Sequence, residues 1–195
     1  MQLTDKTKGF FFFSVGILAF SFTIPATRLA APELGSVFVG LGRAVIAAVF
    51  AGLLLLVKRE KFPARKYWLS LGIVSLGIIV GFPLLTSYAL KLVPAKHGAV
   101  LVGFAPALTA IMAVLRSNER PGLLFWLASA LGVVATFVFA LVQGAGSVQA
   151  GDALLFLAIV LLSLGYAEGG KVSRELGSLQ VISWSLVFSA PFLIQ

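Results

Sequence analysis

Glu33-Leu34-Gly35-Ser36 recurs letter for letter as Glu175-Leu176-Gly177-Ser178, 142 residues further on. The register continues without a gap on both sides of the tetrad. Gly9 meets Gly151, Ile17 meets Ile159, Ser21 meets Ser163, Val39 meets Val181, Val45 meets Val187, Ala48 meets Ala190 and Phe50 meets Phe192. A polar tetrad flanked in register by apolar matches marks an internal duplication. The second copy begins near Gly151, so residues 1–142 are expected to form one unit, 143–150 a linker, and 151–195 the start of a second unit.

Composition sets the solvent. Hydrophobic residues make up 59% of the chain and charged residues 11%, against roughly half and a quarter in soluble domains. Such a chain belongs in a lipid bilayer. It contains no cysteine, which excludes disulfides, thiolate metal sites and thiol nucleophiles together. The net charge of +8 does not point to nucleic acid, because the basic residues fall between apolar runs and form no continuous face.

Crossing the hydrocarbon core takes about 20 apolar residues in a helix. Seven segments approach that length: 9–27, 37–57, 67–90, 97–115, 121–142, 153–170, and one from 179 that continues to Gln195. They lack the alternation of a barrel strand, so the expected fold is all-α, a polytopic bundle. The short loops assign its orientation. With the N-terminus cytoplasmic, Lys6, Lys8, Lys58, Arg59, Lys61, Arg65, Lys66, Arg116, Arg120, Lys171 and Arg174 fall inside. Only Arg28, Lys91 and Lys96 fall outside, and Arg43 lies within a span, which satisfies the positive-inside rule. A five-helix unit is odd, so the second copy enters from the opposite side. Inverted repeats of this kind are a signature of secondary transporters.

The residues between 81 and 121 bring a family into view. Tyr88-Ala89-Leu90, Pro94, Gly98 with Ala99, Pro106 and Glu119-Arg120 follow one another in an order similar to the third and fourth helices of the drug/metabolite transporter superfamily, EamA type. The second segment, with Arg43 after the Glu-Leu-Gly-Ser turn, and the stretch 151–184 resemble it too. The resemblance implies ten helices in two inverted halves, of which this chain holds seven, and movement of small organic metabolites or drugs across a bacterial-type inner membrane without ATP.

Several residues stand out against that background. Gly40, Ala44, Ala48 and Gly52 line one face of the second segment with small side chains, and Gly77 with Gly81 does so in the third. Ala128, Gly132, Thr136 and Ala140 form a third stripe, again expected to pack. Pro25, Pro83 and Pro106 interrupt helices that would otherwise run straight. Arg43 is a substrate-path candidate because an intramembrane charge costs about 2.5–3.5 kcal/mol on insertion scales, the alternative being that it snorkels to the surface. Ser21 and Ser163 correspond in the repeat near their helix midpoints, with a bond back to their own helix as the simpler account. Tyr88, Tyr166 and Trp184 offer aromatic surface to a solute, and Thr86, Pro106 and Thr109 complete the candidate path. His97, the single histidine, is either a proton relay or an interfacial polar group. Glu168 reads as an i,i+3 partner of Lys171.

Catalysis is disfavoured. One histidine cannot supply a HExxH zinc site, no nucleophile elbow occurs, and the remaining carboxylates fall at helix ends. No cofactor and no metal are expected. The expected partners are a small-molecule substrate and the bilayer, with a homodimer left open. The other functional class is a non-transporting assembly or accessory membrane protein.

Overall fold

The structure, a computed structural model, describes residues 5–117, 119–142 and 149–193. The expected linker Gln143-Gly144-Ala145-Gly146-Ser147 and the end of the last segment at Gln195 lie outside the described residues. The described residues form helices joined by short turns, with no strand among them. The helices are α1 (Asp5–Ser21), α2 (Thr23–Leu34), α3 (Ser36–Val57), α4 (Trp68–Val74), α5 (Phe82–Leu92), α6 (Ala95–Val102), α7 (Ala105–Ser117), α8 (Leu123–Val142), α9 (Ala150–Leu176) and α10 (Ser178–Leu193). Five spans are long and apolar enough to cross a membrane, a sixth forms if α6 and α7 count as one bent span, and α10 is a shorter apolar helix.

Prolines set the breaks. Pro25 cannot bond the carbonyl of Ser21, and α1 gives way to α2 at Phe22, where Ala26 N–H picks up the Phe22 carbonyl at 3.0 Å. Pro83 follows a widened π-helical stretch, Ser75–Gly81, in which Phe82 N–H reaches back five residues to Gly77. Pro106 follows the Gly103–Phe104 turn, across which α6 and α7 bend by 40°. The first span runs on to Leu34, past the expected end at Thr27, because α2 continues the apolar path beyond the break at Phe22.

The repeated tetrad builds the same turn twice. Gly35 has φ 86° and ψ 143°, and Gly177 has φ 85° and ψ 143°, a conformation essentially reserved for glycine. Gly35 N–H bonds Ala31 at 3.1 Å, Gly177 N–H bonds Ser173 at 2.9 Å, and Val39 and Val181 N–H each bond their glycine carbonyl at 3.1 Å. The two turns sit at opposite ends of the bundle. Ser36 Oγ donates to the Ser87 carbonyl near the Lys91 end of the third span, whereas Glu175 accepts from Lys66 at its Arg65 end. The latter is the basic end of the bundle, and the former the far end.

α9 is the centre of the bundle and packs against α4, the π-helical stretch, α5, α6, α7 and α10. Phe82, Ala105, Ala158, Ile159 and Leu162 form its middle layer. Leu71, Val74, Val172 and Val181 fill the layer toward the basic end, and Ala89, Val93 and Leu155 the layer toward the far end. Between apolar helices in lipid, association depends on close packing more than on the hydrophobic effect. Gly77 provides that closeness, since a Cβ there would stand 2.4 Å from the Leu161 carbonyl oxygen and 3.1 Å from Gly165 Cα. Gly40 plays the same part for α3, lying against Pro83 and Leu84 of α5. The third small-residue stripe packs only at Thr136 and Ala140, because Gly132 faces open space and Ala128 is exposed. α1 and α8 expose most of their apolar side chains, Phe10 to Phe13 and Leu123 to Leu127 among them.

Candidate functional site

Two large cavities open between the helices. One, of about 730 Å³, lies toward the basic end between α1, α7, α8 and α9. Pro106, Thr109 and Ala113 of α7 form one wall, Phe13, Ile17 and Phe20 of α1 another, and Tyr166 of α9 the floor. Its surface is almost wholly apolar. The break before Pro106 brings this wall into place, because α7 leaves α6 at an angle and turns its small residues toward α1. The second cavity, of about 950 Å³, lies toward the far end along α3 and holds Arg43, Tyr88 and Lys91. A smaller one of about 370 Å³ takes in Ser21, Pro25 and Lys96.

Two groups of polar contacts are built on α9. Toward the far end, His97 Nδ1 lies 2.7 Å from Asp152 Oδ1, with both side chains largely buried. Asp152 Oδ2 also accepts from Gln149 N–H at 2.8 Å, so one carboxylate caps α9 and anchors α6 to it. Toward the basic end, Glu168 Oε1 accepts from Ser70 Oγ at 2.6 Å and Oε2 from Arg116 Nε at 3.1 Å. Around this pair, Glu175 accepts from Lys66 Nζ at 3.0 Å and Tyr67 Oη at 2.7 Å, Arg174 bonds Glu119, and Gln180 donates to Glu60 at 2.7 Å. Apart from the local Gln149–Asp152 cap, each of these ties joins α9 or α10 to a segment before residue 121.

Residues 7–141 match the EamA-like transporter family. The chain belongs to that family. A Bacillus subtilis (strain 168) protein named as the uncharacterized transporter YdeK is 47% identical over 192 residues, a stretch covering 98% of this chain and 67% of that protein. No solved structure matches. The chain is thus a multi-pass membrane transporter of the drug/metabolite type, in contact with lipid and a small-molecule substrate.

In this EamA-like transporter the ten residues singled out from sequence do not form one site. Pro106, Thr109 and Tyr166 share the basic-end cavity, Arg43 and Tyr88 share the far-end cavity, and Ser21 lies in the small one. Thr86 is buried on α5, and its hydroxyl has no hydrogen-bond partner among the described residues. Trp184 packs into an aromatic cluster, its ring centroid 4.9 Å from that of Phe62. Ser21 Oγ donates to Leu18 of its own helix at 2.7 Å, as the simpler account expects. Ser163 departs from it: fully buried, it donates across to the Ala105 carbonyl of α7 at 3.4 Å. Glu168 departs further. It is 2% exposed and pairs with Arg116, while Lys171 turns to the Arg116 carbonyl at 3.5 Å. The spacing to Lys171 suggested a local pair, but Glu168 points inward on α9 and Lys171 outward. The weight of Glu168 was legible only as a carboxylate some two turns inside the end of an apolar helix.

Proposed function

We propose that this protein is a secondary transporter that moves small organic metabolites or drugs across the cytoplasmic membrane by alternating access. The observation that carries the reading is the basic-end cavity, whose volume of about 730 Å³ suits a small organic ligand and whose apolar wall carries few polar groups. Pro106, Thr109 and Tyr166 are the proposed solute contacts there, and Arg43 and Tyr88 those of the far-end cavity. Ser21 belongs to the same path, Thr86 brings to it a buried hydroxyl with no partner among the described residues, and His97, Ser163 and Trp184 hold the helices that shape it. Units 1–142 and 151–195, joined by 143–150, are the proposed inverted repeats, and the paired glycine turns at opposite ends support that division.

Flux measurements test the cavity. In proteoliposomes offered a panel of radiolabelled amino acids, sugars and organic amines, Thr109→Trp fills the cavity and is expected to lower the flux of whichever solute is carried at least tenfold. Leu131→Trp, on the exposed face of α8, is expected to leave it within twofold of wild type. Equal flux in both variants would remove the cavity from the path.

The proposed orientation places the basic end and the N-terminus in the cytoplasm, supported by the excess of Lys and Arg there. Because the chain has no cysteine, single thiols report sidedness directly. An impermeant maleimide added to intact cells is expected to label Lys91→Cys and spare Lys61→Cys. The reverse pattern inverts the orientation.

A further inference from the structure

Glu168 is the most deeply buried ionisable side chain among the described residues, at 2% exposed, whereas the Arg116 side chain that pairs with it is 43% exposed. That asymmetry has a mechanical consequence. Arg116 sits in the last turn of α7, the helix that carries the cavity wall and bends away from α6 by 40°. If α7 swings away from α9, Arg116 travels with it into water. Glu168 cannot follow, because α9 is packed by neighbours along its length. An ionised Glu168 would then be left in the core with the Ser70 hydroxyl alone, the arrangement that low-dielectric surroundings penalise most. A proton taken from water by the carboxylate removes the charge, leaves Ser70 as hydrogen-bond partner and frees Arg116 to be hydrated.

The geometry points to Glu168 as a proton-binding site whose occupation is linked to the parting of α7 from α9 at the basic end, one proton per opening. This rests on the alternating-access reading and adds to it the identity of the coupled ion. The other charged groups near this seam are accounted for. Lys66 and Tyr67 are held by Glu175, Arg174 by Glu119, and Lys171 lies on the Arg116 carbonyl. α4, the π-helical stretch and α10 carry no ionisable residue, and those of α5 and α6 stand at the far end. Glu119 and Glu175 are 35% and 58% exposed, so water can stabilise either of them when its ion pair opens.

The test uses the full chain reconstituted in lipid nanodiscs, where an impermeant maleimide reaches both ends, with single-cysteine reporters. Ala113→Cys lies in the basic-end cavity, and Ala30→Cys in the far-end one. Each rate is divided by that of Lys61→Cys, an exposed thiol, to remove the pH dependence of thiolate chemistry. The Ala113→Cys ratio is expected to rise as pH falls, by up to about tenfold per pH unit, the slope for one linked proton. Glu168→Gln is expected to abolish the slope and hold the ratio high. Ser70→Ala removes a hydrogen bond to the charged form, so its curve is expected to move to higher pH with the slope kept. This second variant tests the site even if the first does not fold.

A slope that survives in Glu168→Gln, or a Ser70→Ala curve that does not move, overturns Glu168 as the site. If in addition the Ala30→Cys and Ala113→Cys ratios change in opposite directions, alternating access stands and only the proton site falls. Ratios that are flat in the wild-type background overturn the proton site. Ratios that change together, never in opposition, overturn alternating access with it.

Discussion

Gly77→Ala is expected to destabilise the protein by about 3 kcal/mol, the upper end of the usual range for overpacking. The added methyl would stand 2.4 Å from the Leu161 carbonyl oxygen and 3.1 Å from Gly165 Cα, both backbone atoms of the central helix. A side chain can rotate out of the way, but a helix backbone can yield only by moving the whole helix. The reciprocal position confirms the closeness, since a Cβ on Gly165 would lie 2.7 Å from Ile78 Cγ1. Gly132→Ala supplies the opposite sign. Nothing lies within 4 Å of its Cβ position, so alanine gains helix propensity of about 0.8–1.0 kcal/mol without a clash. Unfolding of the purified variants in detergent, by heat or by titrated denaturant, measures both. If Gly77→Ala is no less stable than Gly132→Ala, the third span and α9 do not cross where the structure has them.

Arg116→Ala is expected to cost about 2–3 kcal/mol. Removing one partner of a fully buried pair typically costs about 3–5 kcal/mol, because the remaining charge is stranded. Arg116 is partly solvated, so water reaching its place reduces that figure. The diagnostic variant is the double one. Arg116→Ala with Glu168→Gln removes the stranded charge as well, and is expected to recover at least about 1 kcal/mol of the loss. A double-mutant cycle read by the same unfolding assay gives the coupling energy directly. Additive losses in the cycle would show that the two side chains do not interact.

The sequence by itself determined the solvent of this protein, its all-α class and the places where its helices break. Those properties are local. Apolar runs of bilayer length declare spans, Pro25, Pro83 and Pro106 remove hydrogen bonds wherever they stand, and Gly35 and Gly177 permit a turn that other residues resist. The matching turns at Gly35 and Gly177 were legible too, as a tetrad repeated 142 residues apart. What only the tertiary structure decided is which faces meet. In a span that is apolar on every side, periodicity does not distinguish the face toward lipid from the face toward protein. Hence Gly132 read as packed and is open, while Glu168 read as a partner of Lys171 and is buried against Arg116 and Ser70. His97 and Asp152, 55 residues apart, gave no local sign of meeting. Thr109 and Tyr166 came to line one cavity for the same reason: contact across a bundle depends on how shapes fit and charges pair between distant segments.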